Sequence, residues 1–233
     1  MTNAELIALI DFTRLNDEDS TEAIETFCQH ALTSQGPVAA VCVYPQFITA
    51  AKKALENTSI PVATVANFPT GNDSLAVTLH SIQHSLDMGA DEIDVVLPYR
   101  QLQQDNLEFI TEFLAGCRQH TKGHILKVII ESGALSTTHI IQATSLVAAA
   151  GADFVKTSTG KITTGATLDA VETILKTLSA LKNRPGIKIS GGVRTPEHAL
   201  EFISLIADYM GTAWINPQHV RIGASQLLSH LEK

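Results

Sequence analysis

The chain has 233 residues, 45% of them hydrophobic, enough to fill the core of one compact domain. A formal net charge of −8 without any basic run excludes a nucleic-acid partner, whose phosphates would need neutralising along a duplex. Three cysteines (Cys28, Cys42, Cys117) without CxxC spacing fit a reducing compartment. Asn3 and Glu5 stand where a secretion signal would be basic, and no apolar run nears the ~20 residues that span a bilayer, so the expectation is a cytoplasmic protein that does not engage a membrane.

In chain order, short β-rich runs are expected over residues 9–13, 38–43, 62–67, 92–97, 126–131, 153–157, 187–190 and 220–223, with helical patterns between them. Gly89 and Gly151 are placed to end helices. Leu168, Val171, Leu175 and Leu178 recur at helical spacing after Thr167, and Thr195-Pro196-Glu197 sets a capping residue before a proline. Residues 207–218, which hold the single tryptophan Trp214, read as irregular or short-helical. The Gly-Ala-Asp after two helix ends, at Gly89-Ala90-Asp91 and Gly151-Ala152-Asp153, points to a repeated unit. Strict alternation implies a parallel sheet, either open and doubly wound or closed. Eight units in this length favour an α/β single-domain (β/α)8 TIM barrel over residues 1–233.

Two lysines stand in runs that otherwise read as buried strands, Lys156 in Phe154-Val155-Lys156-Thr157 and Lys188 in Ile187-Lys188-Ile189. A buried ammonium is costly unless it is paired or loses its proton, and a neutral lysine is a nucleophile that forms Schiff bases with carbonyl compounds. Since alternate strand residues face opposite sides, Asp11, Cys42, Asp94, Lys127, Lys156 and Lys188 converge on the barrel axis. Barrel active sites lie at the C-terminal strand ends, and Cys42 is expected to face that mouth. A bland alternative exists: a lysine–aspartate pair can hold core layers together. Two interior lysines on consecutive strands fit it less well, because like charges held close disfavour each other.

Gly160, Gly191-Gly192 and Gly223-Ala224-Ser225 fall after the last three strands, with Lys161 and Arg194 nearby. Glycines admit close backbone approach, and barrels often seat a phosphate between the last two loops, so a phosphate site is expected there. His80 and His84 have i, i+4 spacing on a helix without an adjacent glutamate, so no metal site is assigned. There is no Walker loop and no GxGxxG.

Taken together, Glu92-Ile93-Asp94-Val95-Val96-Leu97-Pro98-Tyr99-Arg100, Leu126-Lys127-Val128-Ile129-Ile130-Glu131, Lys156-Thr157-Ser158-Thr159-Gly160-Lys161 and Gly191-Gly192-Val193-Arg194 closely resemble the deoxyribose-phosphate aldolase family of class I aldolases. The likeness runs from about Asp11 to Leu228. It implies a TIM barrel that reversibly cleaves 2-deoxy-D-ribose 5-phosphate to acetaldehyde and D-glyceraldehyde 3-phosphate, with no metal or organic cofactor. By resemblance, Lys156 would form the Schiff base, Lys188 would depress its pKa, and Asp94 would move protons. Gly160, Lys161, Gly191, Gly192, Gly223 and Ser225 would surround the phosphate. From the residue pattern itself, Arg194 beside them and Asp11 and Cys42 on the barrel axis are expected to contribute to substrate binding, with Cys42 alternatively a small buried residue. The implied partners are small molecules, a sugar phosphate and aldehydes, and a homodimer is left open.

Departures from the family pattern are Lys188-Ile189-Ser190 where Lys-Pro-Ala or Lys-Pro-Ser is common, and Gln226 where a second serine often stands. Some members carry a C-terminal tail ending in tyrosine. Here the sequence ends Leu231-Glu232-Lys233, so any such help with proton transfer is expected from elsewhere, with slower turnover. Two other readings stay open: another Schiff-base sugar-phosphate lyase of transaldolase-like type, and a catalytically silent sugar-phosphate-binding protein.

Overall fold

The computed structural model describes residues 1–232. Eight parallel strands close into a barrel, each paired with its neighbours in sequence and the last with the first. They are β1 (Ile10–Arg14), β2 (Ala40–Val43), β3 (Val62–Ala66), β4 (Glu92–Val96), β5 (Ile125–Ile129), β6 (Phe154–Lys156), β7 (Gly186–Ser190) and β8 (Val220–Ala224). Each of the eight coincides with an expected run, shifted by one or two residues at its ends. The expectation of a TIM barrel holds.

Two features differ from the expectation. Leu32–Thr33 and Gly36–Pro37 pair as a small antiparallel ladder outside the barrel, too short to leave a periodic signal. Residues 207–210 are not irregular: they complete the helix Pro196–Met210, which Gly211 ends at φ 82°, before a single 3-10 turn at Thr212–Trp214. The indole of Trp214 stacks on His219, centroids 5.1 Å apart.

Helix starts follow side-chain chemistry. Ser20, Ser74, Ser136, Thr167 and Thr195 each accept a hydrogen bond from a backbone N–H of the first turn, satisfying a donor that has no intrahelical partner. Gly89 and Gly151 follow helix ends at φ 98° and 72°, left-handed conformations that favour glycine. In the helix Leu168–Ser179, Val171, Leu175 and Leu178 are buried, while Leu168 at its first position is exposed.

The core has two layers. Outward strand residues such as Val41, Ile93, Val95, Val155, Ile187 and Ile189 pack with helix residues in the main apolar cluster between barrel and helices. A smaller cluster of Ala40, Cys42, Ala63, Val65 and Leu15 fills part of the barrel interior. A third small cluster of Val96, Tyr99 and Ile129 lies beside it, and between these groups the interior is ionic.

Candidate active site

Strand register sets the charged side chains side by side. Lys156 lies opposite Lys188, Lys188 opposite Arg221, and Asp94 opposite Lys127. Each points inward by the alternation of its strand, so one network of seven groups crosses the barrel. Asp94 is its centre. Its Oδ2 accepts from Lys156 Nζ at 2.7 Å and from Lys188 Nζ at 2.6 Å, and its Oδ1 accepts from Lys127 Nζ at 2.8 Å. Lys188 also reaches Asp11 Oδ2 at 2.5 Å, and Lys127 reaches Glu92 Oε2 at 2.5 Å. At the opposite end, Arg221 donates to Asp11 Oδ1 at 2.6 Å and to Glu92 Oε1 at 3.2 Å, and stacks over Phe154.

Three carboxylates (Asp11, Glu92, Asp94) thus face four cationic side chains (Lys127, Lys156, Lys188, Arg221), all of them buried. With every group ionised, the cluster would hold one uncompensated positive charge where desolvation is expensive. Loss of one proton restores neutrality, and Lys156 is the member placed to lose it. Lys127 and Lys188 each have at least two carboxylate partners, whereas Lys156 has only Asp94 among the described residues.

The proton affinities follow. Burial is the largest influence on Lys156 and lowers its pKa; Asp94 works against this and Lys188 with it, and the result is a lowered value. Burial also acts to lower Lys188 and Lys127, but Asp11 and Asp94 on the first, and Asp94, Glu92 and Asp11 on the second, outweigh it, so both are raised. Burial would raise Asp94, yet Lys127, Lys156 and Lys188 together hold it well below the usual carboxylate range. Of the three buried lysines, Lys156 is the one disposed to be neutral.

Of the seven, Lys156 alone lines the principal cavity, a space of about 580 Å³ at the C-terminal ends of the strands. Gly160, Lys161, Gly191, Gly192, Arg194, Gly223 and Ser225 line it too, so the structure brings the expected glycine loops and their cations to one cavity above the amine. No carboxylate is among the lining residues. Gly191 and Gly192 hold φ of 88° and 97°. At Gly223 a Cβ would come within 2.9 Å of Ser190 Cβ and 3.3 Å of Lys188 Cε, so glycine keeps the ion network and the loop apart.

Two expected site residues are placed differently from the sequence reading. Asp11 and Cys42 face inward but are fully buried and do not reach the cavity. Asp11 instead pairs with Lys188 and Arg221 below it. Cys42 packs with Ala63 and Val65, and burial raises its thiol pKa. Lys161 does line the cavity, but its ammonium donates to the Leu15 carbonyl at 2.7 Å and lies 5.9 Å from the Tyr44 ring centroid, tying two loops together. The offsets of Asp11 and Cys42 share one cause: alternation fixes the face of a residue, not its depth along the axis.

Several residues of the arrangement escaped the sequence reading. Arg221 carried the same signal as Asp94, a charge between apolar neighbours on a strand, and was legible in principle; Glu92, which follows Asp91, was masked by that second charge. Glu131 was not. It sits at φ 54°, buried, where its carboxylate accepts from Thr159 N at 3.2 Å and from Thr159 Oγ1 at 2.5 Å, and that hydroxyl accepts in turn from Lys161 N at 3.0 Å. This chain fixes the loop that follows β6. Gly165 packs so closely on Gly191 that any Cβ would collide with the Gly191 carbonyl, and Ala166 N donates to that oxygen at 3.0 Å.

Comparison with known proteins finds relatives of the same fold. A protein from Coccidioides immitis, provisionally assigned as a deoxyribose-phosphate aldolase, is 28% identical over 98% of this chain and 86% of its own, with a TM-score of 0.88. The apo form of a provisionally assigned deoxyribose-phosphate aldolase from Toxoplasma gondii ME49 is 25% identical over 98% and 93%, with a TM-score of 0.90. A deoxyribose phosphate aldolase from Aeropyrum pernix, with a tetrameric structure, is 25% identical over 98% and 91%, with a TM-score of 0.81. The sequence model of the DeoC/LacD family aldolases matches residues 5–228, nearly the whole chain, and with that match the chain belongs to the DeoC/LacD family of aldolases.

Proposed function

We propose that this aldolase reversibly cleaves 2-deoxy-D-ribose 5-phosphate to acetaldehyde and D-glyceraldehyde 3-phosphate through a Schiff base on Lys156. The observation that carries the reading is the position of Lys156: a buried amine of lowered proton affinity at the floor of a cavity whose walls hold cations and glycine loops but no carboxylate.

The chemistry follows from that placement. The neutral amine of Lys156 adds to the C1 aldehyde of the open-chain sugar, and loss of water gives a protonated imine. The imine draws electrons. As the C3 hydroxyl gives up its proton, the C2–C3 bond breaks, its electron pair forms the C1–C2 double bond of an enamine, and D-glyceraldehyde 3-phosphate departs. Protonation of the enamine at C2 regenerates the imine, and water releases acetaldehyde and the free amine. Asp94, with Oδ2 at 2.7 Å from Lys156 Nζ, is the group beside the amine that moves protons in these steps, and Lys188 stays charged on the same oxygen. The phosphate would lie at Gly160, Gly191, Gly192, Gly223 and Ser225, where backbone amides can approach it closely.

The test is incubation with acetaldehyde and borohydride, followed by intact mass and peptide mapping, alongside an assay for acetaldehyde released from 2-deoxyribose 5-phosphate. A reduced ethyl adduct on Lys156 with acetaldehyde release is expected. An adduct on Lys127 or Lys188 sinks the assignment of the nucleophile, and absence of any adduct sinks the Schiff base.

A further inference from the structure

We propose that Arg14 is a phosphate-recognition residue of this site, the cationic partner of Arg194 across the cavity mouth. The inference rests on the phosphorylated-substrate reading above and adds to it a residue that lies outside the glycine loops.

Four cationic side chains line the cavity, Arg14, Lys156, Lys161 and Arg194. Two are already engaged: Lys156 is held by Asp94, and the Lys161 ammonium by the Leu15 carbonyl. Arg194 is exposed, and its guanidinium donates to no acceptor among the described residues. Arg14 is held in a way that presents a free edge. Its Nε and NH2 both meet Asp19 Oδ1 at 2.7 Å, and its guanidinium lies 5.9 Å from the Phe27 ring centroid. Its NH1 has no acceptor among the described residues. Asp19 is itself fixed, with a side chain only 3% exposed and Oδ2 accepting from Asn16 N at 3.3 Å. An arginine clamped on one edge, with its other edge in a cavity free of carboxylates, is preorganised for an anion.

Register places it at the right end. Phe12 of β1 pairs with Ala224 of β8, and Arg14 lies two residues further, about 6.6 Å up the strand, level with the loop that carries Ser225. Thr13 faces the axis with Asp11, so Arg14, like Phe12, leans outward over Phe27, onto the rim where Ser225 and Gln226 line the same cavity. Gln226 brings no charge there; Arg14 does.

The test is calorimetric titration with inorganic phosphate of the unaltered protein, Arg14→Gln and Arg14→Lys, each checked for an unchanged melting profile, with kcat and KM measured on 2-deoxyribose 5-phosphate and on free 2-deoxyribose. Arg14→Gln should weaken phosphate binding about tenfold and raise KM for the phosphorylated sugar, lowering the preference over the free sugar by a similar factor. Arg14→Lys should recover part of both. A merely structural Arg14–Asp19 pair would change both sugars equally and leave phosphate affinity untouched, and that result overturns the proposal. If the unaltered protein does not cleave the sugar phosphate but Arg14→Gln still loses phosphate affinity, the substrate reading fails while Arg14 stands as an anion-site residue.

Discussion

Lys156 and Lys188 point their ammonium nitrogens at one and the same oxygen, Oδ2 of Asp94, at 2.7 and 2.6 Å. Lys188 has a second anchor in Asp11, whereas Lys156 has none among the described residues. The shared oxygen therefore holds one permanent cation and one that can give up its proton.

Replacing Lys188 with Met should slow imine formation at neutral pH, on the order of tenfold, and move its alkaline rise to higher pH. The direction is fixed by electrostatics: a nearby positive charge that opposes protonation of Lys156 is gone, and Oδ2 of Asp94 is left to Lys156 while Oδ1 keeps Lys127. Asp11 loses a partner too, so the variant should also be less stable, by about 3–5 kcal/mol for a broken buried pair. The pH profile of borohydride trapping, measured well below the variant's melting temperature, decides. An unmoved profile would mean that burial alone sets the amine.

Asp94→Asn separates imine formation from proton transfer. Without the carboxylate that favours its charged form, Lys156 should still be trapped with acetaldehyde. Exchange of acetaldehyde methyl protons in deuterated water should fall by about 100-fold or more, the scale of a lost acid–base group. Undiminished exchange would move the proton-transfer role elsewhere.

Acid should unfold the protein through the ion network. Asp11 and Asp94 hold pKa values below the ordinary 3.8, since the opposing cations overcome the burial that would raise them. A depressed carboxyl contributes stability that is complete above the unfolded-state value and lost as pH falls through the folded one. The urea midpoint should therefore decline below about pH 4, and less steeply in Asp94→Asn than in the unaltered protein. An identical decline in both would place the acid sensitivity outside the network.

The three thiols should resist alkylation while the protein is folded. Cys28, Cys42 and Cys117 are all buried, and burial pushes Cys28 up to about 11, Cys117 up to about 12 and Cys42 above its ordinary value. Iodoacetamide at pH 8 should label none of them until denaturant is added. Labelling of native Cys42 would show that the barrel mouth opens down to its level.

Much of this arrangement was legible in the sequence because a parallel barrel strand writes its inward residues at every second position. Asp94, Lys127, Lys156 and Lys188 are conspicuous as charges within runs rich in Ile, Leu and Val, and the strands around them had to be buried on both faces. What such a pattern lacks is height. Asp11, Cys42 and Lys156 look alike in sequence, yet only Lys156 ends at the cavity floor, because depth depends on the stagger between neighbouring strands. Arg14 was passed over for the opposite reason: alternation turns it away from the axis, and its contacts with Asp19 and Phe27, from the loop and helix that follow, hold it over the rim. The Gly165–Gly191 contact joins two loops distant along the chain and carries no local mark at all.

The charge balance inside the barrel has a consequence for where the reaction would rest. A free amine on Lys156 leaves the seven-group network neutral; a protonated imine there would restore the surplus positive charge in a medium that solvates it poorly. The uncharged enamine relieves it. On the proposed chemistry, the barrel would therefore pull electrons toward Lys156 without any metal, favouring the carbon nucleophile over its cationic precursor. A substitution that added one carboxylate beside Lys156 would make the imine easier to form and the carbon–carbon bond harder to break.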